Sequence, residues 1–236
     1  MAHECTEINF VFSRAADRKL VGRSGKIFHQ PGSLSTRNNL STLYRIGREG
    51  QWERTLEIGM AFGASAIVMA ALHRDLGRSG AGQHVAIDPF QSEVWDNAGR
   101  ISLEAAQLAD YVDFKEEFSS IALAKLVSEK ARFGLIYVDG SHLFEDVFVD
   151  FYFSIQLLIP GGVVLFDDSS DPHVRKVLRF INTNFSEICQ PINLAKYRDS
   201  AGLKYEIAKR LGKTQLTGFR KISEFPRKWD SVFRRF

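Results

Sequence analysis

The chain has 236 residues with a formal net charge of +3, and 44% of them are hydrophobic, 25% charged and 12% aromatic. Those proportions exclude a disordered or fibrous protein and fit one large domain, or one domain with a small appendage. Cys5 and Cys189 cannot build a disulfide framework and neither has a nearby cysteine to share a zinc ion, so a reducing, cytoplasmic setting is expected.

Taken in chain order, the N-terminus carries acids where a secretory signal needs bases, and no apolar core follows. Asn38 to Arg48 has helical spacing through Leu40, Leu43, Tyr44 and Ile46. Residues 1–50 are expected to form an N-terminal helical extension. Its segment His29-Gln30-Pro31-Gly32 and the helix around Tyr44 are candidates for a substrate lid, and 51–236 is the main domain.

From Arg54 the pattern becomes regular. Strands are predicted at Thr55 to Ile58, His84 to Asp88, Tyr111 to Phe114, Phe133 to Val138 and Gly162 to Phe166, with weaker ones near Ile188 to Leu194 and Leu216 to Ile222. Between them helices are predicted over Ser65 to Arg74, Ser102 to Asp110, Ser119 to Ala131, Leu143 to Leu158 and His173 to Phe185. The most apolar stretch, Phe148 to Phe166, is broken by Asp150, Gln156 and Pro160-Gly161-Gly162, so it reads as helix, turn and strand rather than a membrane span of about 20 apolar residues. Alternating strands and helices imply a doubly wound, mostly parallel α/β sheet of Rossmann-like type.

Such sheets bind ligands where the strands end, at the topological switch point. The polar residues there are Glu57, Asp88, Asp139 and the pair Asp167-Asp168, all acids. The first strand-to-helix turn runs Glu57-Ile58-Gly59-Met60-Ala61-Phe62-Gly63-Ala64-Ser65. Ala61 stands where a dinucleotide fingerprint needs glycine, and no Gly-Lys-Ser/Thr follows, so a pyrophosphate is not the expected ligand. An acid opening this turn suits a cationic amine, and Asp88 suits the hydroxyls of a ribose, although it can also cap the helix after Pro89. A nucleoside joined to an amino acid without phosphates describes S-adenosylmethionine.

The stretch from about Leu56 to Phe185 resembles the class I S-adenosylmethionine-dependent methyltransferases, with Glu57-x-Gly59-x-x-x-Gly63-x-Ser65 similar to the family's first motif. The resemblance implies that the turn with Glu57, Gly59, Met60, Ala61, Gly63 and Ser65 seats the methionine part. It also implies that Asp88 holds the ribose and that Ser119 and Ser120 help seat the adenine. The segments Asp139-Gly140-Ser141-His142 and Pro160 to Asp168 resemble the small-molecule O-methyltransferase branch that includes catechol and macrolide-sugar enzymes. That branch implies magnesium held by Asp139, Asp167 and Asp168, with Asp139 also beside the cofactor. Three converging carboxylates repel one another unless a cation sits among them, and hard oxygen ligands suit Mg²⁺. Asp167 or Asp168 alone is equally explained as a helix cap.

His142 matches the position of the general base, a lysine in the catechol branch and a histidine in the sugar branch. The analogy therefore moves toward sugar or other aliphatic hydroxyls on a small-molecule acceptor. An imidazole with a reference pKa of about 6.5 can act as a base at neutral pH. The expectation is a Mg-assisted O-methyltransferase; the alternatives are a metal-independent methyltransferase and an inactive cofactor-binding protein.

From Lys204 to Phe236 ten Lys and Arg face three acids, yet they are dispersed among Leu, Phe and Trp, which reads as a solvated surface rather than a nucleic-acid site. The aromatic residues Phe219, Phe225, Trp229 and Phe233 are expected to cover the sheet edge, or to form an interface in a homo-oligomer.

Overall fold

Strands buried on both faces need nearly continuous apolar sequence, and the central strands have it. In a computed structural model describing residues 4–17, 20–29, 32, 34–79, 82–199, 202–211, 213–225 and 227–236, every residue of β1 (Thr55–Ile58), β2 (His84–Ile87) and β4 (Phe133–Val138) is buried. With β3 (Val112–Lys115), β5 (Leu158–Phe166), β6 (Cys189–Pro191) and β7 (Thr217–Lys221) they form one seven-stranded sheet of order β3-β2-β1-β4-β5-β7-β6. The pairs from β3 to β5 are parallel; β7 runs antiparallel to both β5 and β6. The order reverses between β1 and β4, which places the ligand crevice above their carboxyl ends.

Two apolar layers sandwich the sheet. On one face α1 (Glu7–Ala16), α2 (Arg37–Gly50) and α3 (Ala64–Asp75) pack over Ala86, Leu135, Tyr137 and Leu165. On the other, α5 (Ser119–Ser128), α6 (Phe144–Leu157) and α7 (Pro172–Asn184) cover Leu56, Ile87, Ile136 and Phe166. The expected N-terminal extension is thus part of the core, since Ile8 and Val11 of α1 and Leu40 and Leu43 of α2 join the first layer. α1 escapes the sequence reading. Of the lid segment, Gln30 and Pro31 lie outside the described residues.

Other boundaries move for local reasons. The helix expected at Ser102 to Asp110 is α4 (Ala98–Ala105) followed by a single 3₁₀ turn, because Asn97 and Gln107 take left-handed φ values of 57° at either end. β5 begins at Leu158 rather than Gly162; Pro160-Gly161-Gly162 makes a bulge, with Gly161 at φ 81° and a register shift against β4, so the chain passes from α6 into β5 without a loop. A short final helix, α8 (Leu203–Arg210), precedes β7.

Lys221 is buried at the end of β7 and its ammonium donates to the carbonyls of Ile155 (2.9 Å) and Leu158 (2.7 Å), closing the C-terminus of α6. Phe219 lies inside the sheet layer and Phe225 packs edge-on against Tyr152, while Trp229 is almost fully exposed. Among the described residues no helix is long and apolar enough to cross a membrane.

Candidate active site

The turn after β1 turns sharply because Gly59 and Gly63 adopt φ +91° and +80°. A Cβ at Gly59 would lie 2.2 Å from the Asp139 carbonyl oxygen, so this turn and the one after β4 touch backbone to backbone. Ala61, between the glycines, is also left-handed, at φ +44°. The Asp88 carboxylate holds this loop in place. Its Oδ2 accepts from the Met60 and Ala61 N–H groups (3.2 and 2.8 Å) and from Gln91 Nε2 (3.0 Å), and among the described residues its Oδ1 accepts only from the Phe90 N–H (2.9 Å).

A cavity of about 580 Å³ opens over these turns. Gly59, Met60, Ala61, Ser65 and Asp88 form one wall; Ser119, Ser120, Asp139 and His142 contribute to the others. Gly63 shapes the turn without lining the cavity. Glu57 also stays outside it: the side chain is wholly buried, neither oxygen has a hydrogen-bond partner among the described residues, and His84 Nε2 lies 3.5 Å from Oε1. Phe90, Trp95 and Phe118 add an apolar rim that the sequence reading did not identify.

The acids after β4 and β5 are held differently from one another. Asp139 Oδ2 accepts from Ser35 Oγ (3.1 Å) and lies 3.0 Å from the Tyr137 hydroxyl. Asp167 is 5% exposed; Asn39 Nδ2 reaches both its oxygens at 2.9 Å, the Asp168 N–H donates at 2.8 Å, and the Tyr137 hydroxyl donates to Oδ2. Burial first, and the like charge of Asp167 second, push the Asp139 carboxyl well above the usual range. Burial raises Asp167 as well, and it drives the Tyr137 phenol up beside the two acids. A phenol has one proton for two carboxylates, so this cluster favours holding an extra proton or a cation.

Asp168 turns the other way. With φ 47°, its Oδ2 meets His142 Nε2 at 2.7 Å, and its Oδ1 accepts from Gln215 Nε2. Ligand atoms of Asp139, His142 and Asp168 all lie within 4.8 Å of one another. The converging group is therefore two carboxylates and an imidazole, a set that suits a divalent transition ion as well as magnesium. Asp167 is not in it, being occupied by Asn39 and Tyr137.

Ser35, Asn39 and Gln215 carry no sequence signal for this role, since their partners lie far along the chain. Tyr137 was not singled out from sequence, yet it carries a signal: two residues before Asp139, the alternation of β4 points it to the same side as that acid.

Residues 56–169 match the methyltransferase-domain family Methyltransf_24. No curated protein matches the chain. Among solved structures, the O-methyltransferase of Bacillus cereus in complex with SAH is similar at a TM-score of 0.64 and 19% identity, over 94% of this chain and 92% of that one. The O-methyltransferase TomG of Streptomyces achromogenes, involved in tomaymycin synthesis and complexed with SAM, is similar at 0.61 and 19%, over 94% and 92%. CalS11, a TDP-rhamnose 3'-O-methyltransferase of calicheamicin biosynthesis, is similar at 0.54 and 17%, over 77% and 76%. The domain match and the sheet order agree: residues 56–169 are a methyltransferase domain, and the seven-stranded sheet has the Rossmann-like fold of class I methyltransferases.

Proposed function

We propose that the protein transfers the methyl group of S-adenosylmethionine to a hydroxyl oxygen of a small molecule, with His142 as general base. The observation that carries this reading is His142 at the cavity wall, with Asp168 Oδ2 2.7 Å from its Nε2. An ionised carboxylate only accepts, so the imidazole keeps its proton on Nε2 and presents Nδ1 as the base. Gln215 orients Asp168 in turn. The three groups follow the logic of a base held by a carboxylate. Structural neighbours named as O-methyltransferases, one of them acting on a sugar, support oxygen as the acceptor.

When bound, S-adenosylmethionine supplies an electrophilic methyl on a sulfonium. The turn Gly59-Met60-Ala61 with Ser65 would seat its methionine part, and Ser119 and Ser120 its adenine. Asp88 would accept from the ribose through Oδ1, the oxygen with spare capacity. Glu57 lies beneath the turn and outside the cavity, so it would not touch the cofactor. An imidazole cannot remove an alcohol's proton in advance, so His142 Nδ1 takes it as the oxygen gives an electron pair to the methyl and its O–H turns acidic in the transition state, the sulfur leaving as a neutral thioether.

Replacing His142 with Ala should lower kcat at least about a hundredfold, the usual contribution of a general base, with cofactor affinity retained. Turnover of a panel of sugars, aliphatic alcohols and phenols, read as SAH formation, checks this; full activity of His142→Ala would remove the base from the mechanism.

Metal assistance is a second reading, favoured by the convergence of Asp139, His142 and Asp168. Those residues would hold a divalent ion, which would supply Lewis acidity toward the acceptor hydroxyl. The expected Asp139, Asp167 and Asp168 set would further require Asp167 to leave Asn39 and Tyr137. Activity unaffected by EDTA and by added Mg²⁺, Mn²⁺ or Zn²⁺ would leave the His142–Asp168 pair as the whole apparatus.

A further inference from the structure

Apolar side chains turn inward unless something else covers them, and the segment 227–236 departs from this rule. It is tied at both ends to the C-terminal part of α7. The Arg227 guanidinium lies over the Phe185 ring at 4.7 Å, Asn184 exchanges two 2.8 Å hydrogen bonds with the backbone of Arg234, and the Phe236 ring meets Phe180 edge-on at 5.2 Å. Between these anchors a turn, closed by the Ser231 N–H on the Lys228 carbonyl (3.1 Å), carries Trp229 at its tip. Trp229 is 98% exposed, Val232 78% and Phe233 65%. Large apolar side chains thus stand in water on an anchored backbone, which marks a surface that meets a partner.

The surroundings are basic. Arg175, Lys176 and Arg179 share the solvent face of α7, and the segment adds Lys228, Arg234 and Arg235. All of these are exposed, and none makes an ion pair among the described residues. α7 contains no acid, and 227–236 contains only Asp230. Where the two meet, a groove of about 460 Å³ is lined by Arg179, Asn182, Thr183, Arg235 and Phe236. Two guanidiniums, an amide and a hydroxyl therefore border one space that no acidic side chain lines, a donor set suited to phosphate oxygens.

We propose that this face docks on an anionic phospholipid bilayer, with Trp229, Val232 and Phe233 entering the interfacial layer and the bases around them meeting lipid phosphates. The inference is independent of the reading of the cavity. Charge complementarity selects the occupant: unpaired bases are drawn to a negative lipid surface, and an exposed tryptophan beside them settles at the level of the headgroups. A second copy would set the same bases against one another across a two-fold axis, which like charges oppose. A nucleic acid would satisfy the bases and stack on the two aromatic rings, but Val232 has no π face to offer a base. In a bilayer all three apolar side chains leave water together. Attachment of this kind is peripheral and needs no spanning helix.

The test is co-sedimentation of the full chain with vesicles of phosphatidylcholine alone and of phosphatidylcholine mixed with phosphatidylserine, at about 0.1 M and about 0.5 M salt. The mixed vesicles should bind at least about tenfold more tightly than the neutral ones at low salt, and the difference should shrink at high salt. Trp229→Ala combined with Phe233→Ala should weaken binding about tenfold, and Arg179→Glu combined with Arg235→Glu should bring it down to the level of neutral vesicles. Brominated phosphatidylcholine in the mixed vesicles should quench tryptophan emission of the wild type but not of Trp229→Phe, which separates insertion from adsorption of charge alone. These side chains are exposed, so the variants should keep the wild-type melting temperature. Equal binding of the two kinds of vesicle, absence of quenching, or wild-type binding by the Trp229→Ala and Phe233→Ala variant would each overturn the proposal. So would a single-stranded oligonucleotide that binds more tightly than the mixed vesicles, or a dimer that the same substitutions dissociate.

Discussion

Ala61 occupies a backbone conformation that L-residues avoid, between two glycines that adopt it freely. The left-handed region costs a residue with a Cβ about 1 kcal/mol, so Ala61→Gly should add stability of that order, read as a higher urea midpoint. A lowered midpoint would mean that the methyl packs well enough to outweigh the strain. The opposite substitution at Gly59 has no such freedom, because its Cβ would sit against the Asp139 carbonyl. Buried titratable groups also shape the pH dependence of stability. Asp150, raised to about 7, stabilises the fold in its protonated form, fully below its unfolded value of about 3.8; that contribution is lost as pH rises through 7. His73, lowered to about 3 by burial and by His84, acts in reverse: its contribution is full above its unfolded value of 6.5 and falls away below it. The melting temperature should therefore rise as pH falls through 7 and level off below about 6.5, where the Asp150 gain and the His73 loss, one proton each, offset one another. Asp150→Asn should flatten the upper limb of a melting series, and an unchanged limb would assign the titration to Asp139 and Asp167, which are pushed the same way.

At the scale of elements, α6 depends on a residue from the far end of the chain. Its last carbonyls are closed by Lys221 of β7, whose ammonium is buried and depressed by desolvation. Lys221→Met keeps most of the apolar stem and leaves two carbonyls without a donor. Burying unsatisfied polar groups costs about 1–3 kcal/mol each, so a loss of about 3 kcal/mol is expected in denaturant unfolding. A neutral outcome would mean that water reaches those carbonyls. Helix α7 is built more locally, with Asp171 accepting from the His173 N–H at 2.8 Å and Pro172 in the first turn. That local construction is why its span was legible from sequence within a residue. α1 had no comparable mark: Thr6 makes no side-chain cap, and the helix is held by packing on α3 and by Glu7 pairing with Arg74 at 2.6 Å.

Across the whole molecule, the N-terminal segments reach the site from outside the βα units. Residues 20–29 include a Val21–Ile27 bridge, Ser24 binds Asp96 (2.6 Å from Oγ), and Phe28 stacks edge-on against Phe62, which meets Trp95 at the cavity rim. We expect this segment to cover the acceptor, so Phe28→Ala should raise the acceptor KM several-fold with little change in SAH affinity. Equal damage to both would make it a plain structural contact. Asp88 and Asp139, which line the cavity, were placed at strand ends by local patterning, as were Asp167 and Asp168 after β5; Glu57 has the same kind of place in the sequence, yet its side chain lies beneath the turn, outside the cavity. The fold was readable for the same reason: alternation of strand and helix periods, turn glycines and apolar runs are local properties of the chain. Sequence alone thus determined the sheet, the glycine turn and the placing of acids at the strand ends. Only the tertiary structure decided their partners. Asn39 reaches Asp167 across 128 positions, Ser35 reaches Asp139 across 104 and Gln215 reaches Asp168 across 47, contacts made by packing α2 and the β7 approach onto the sheet. Which carboxylate pairs with His142 and which is consumed by Tyr137 depends on those distant side chains, because a short-range pattern specifies where a group sits but not what arrives beside it.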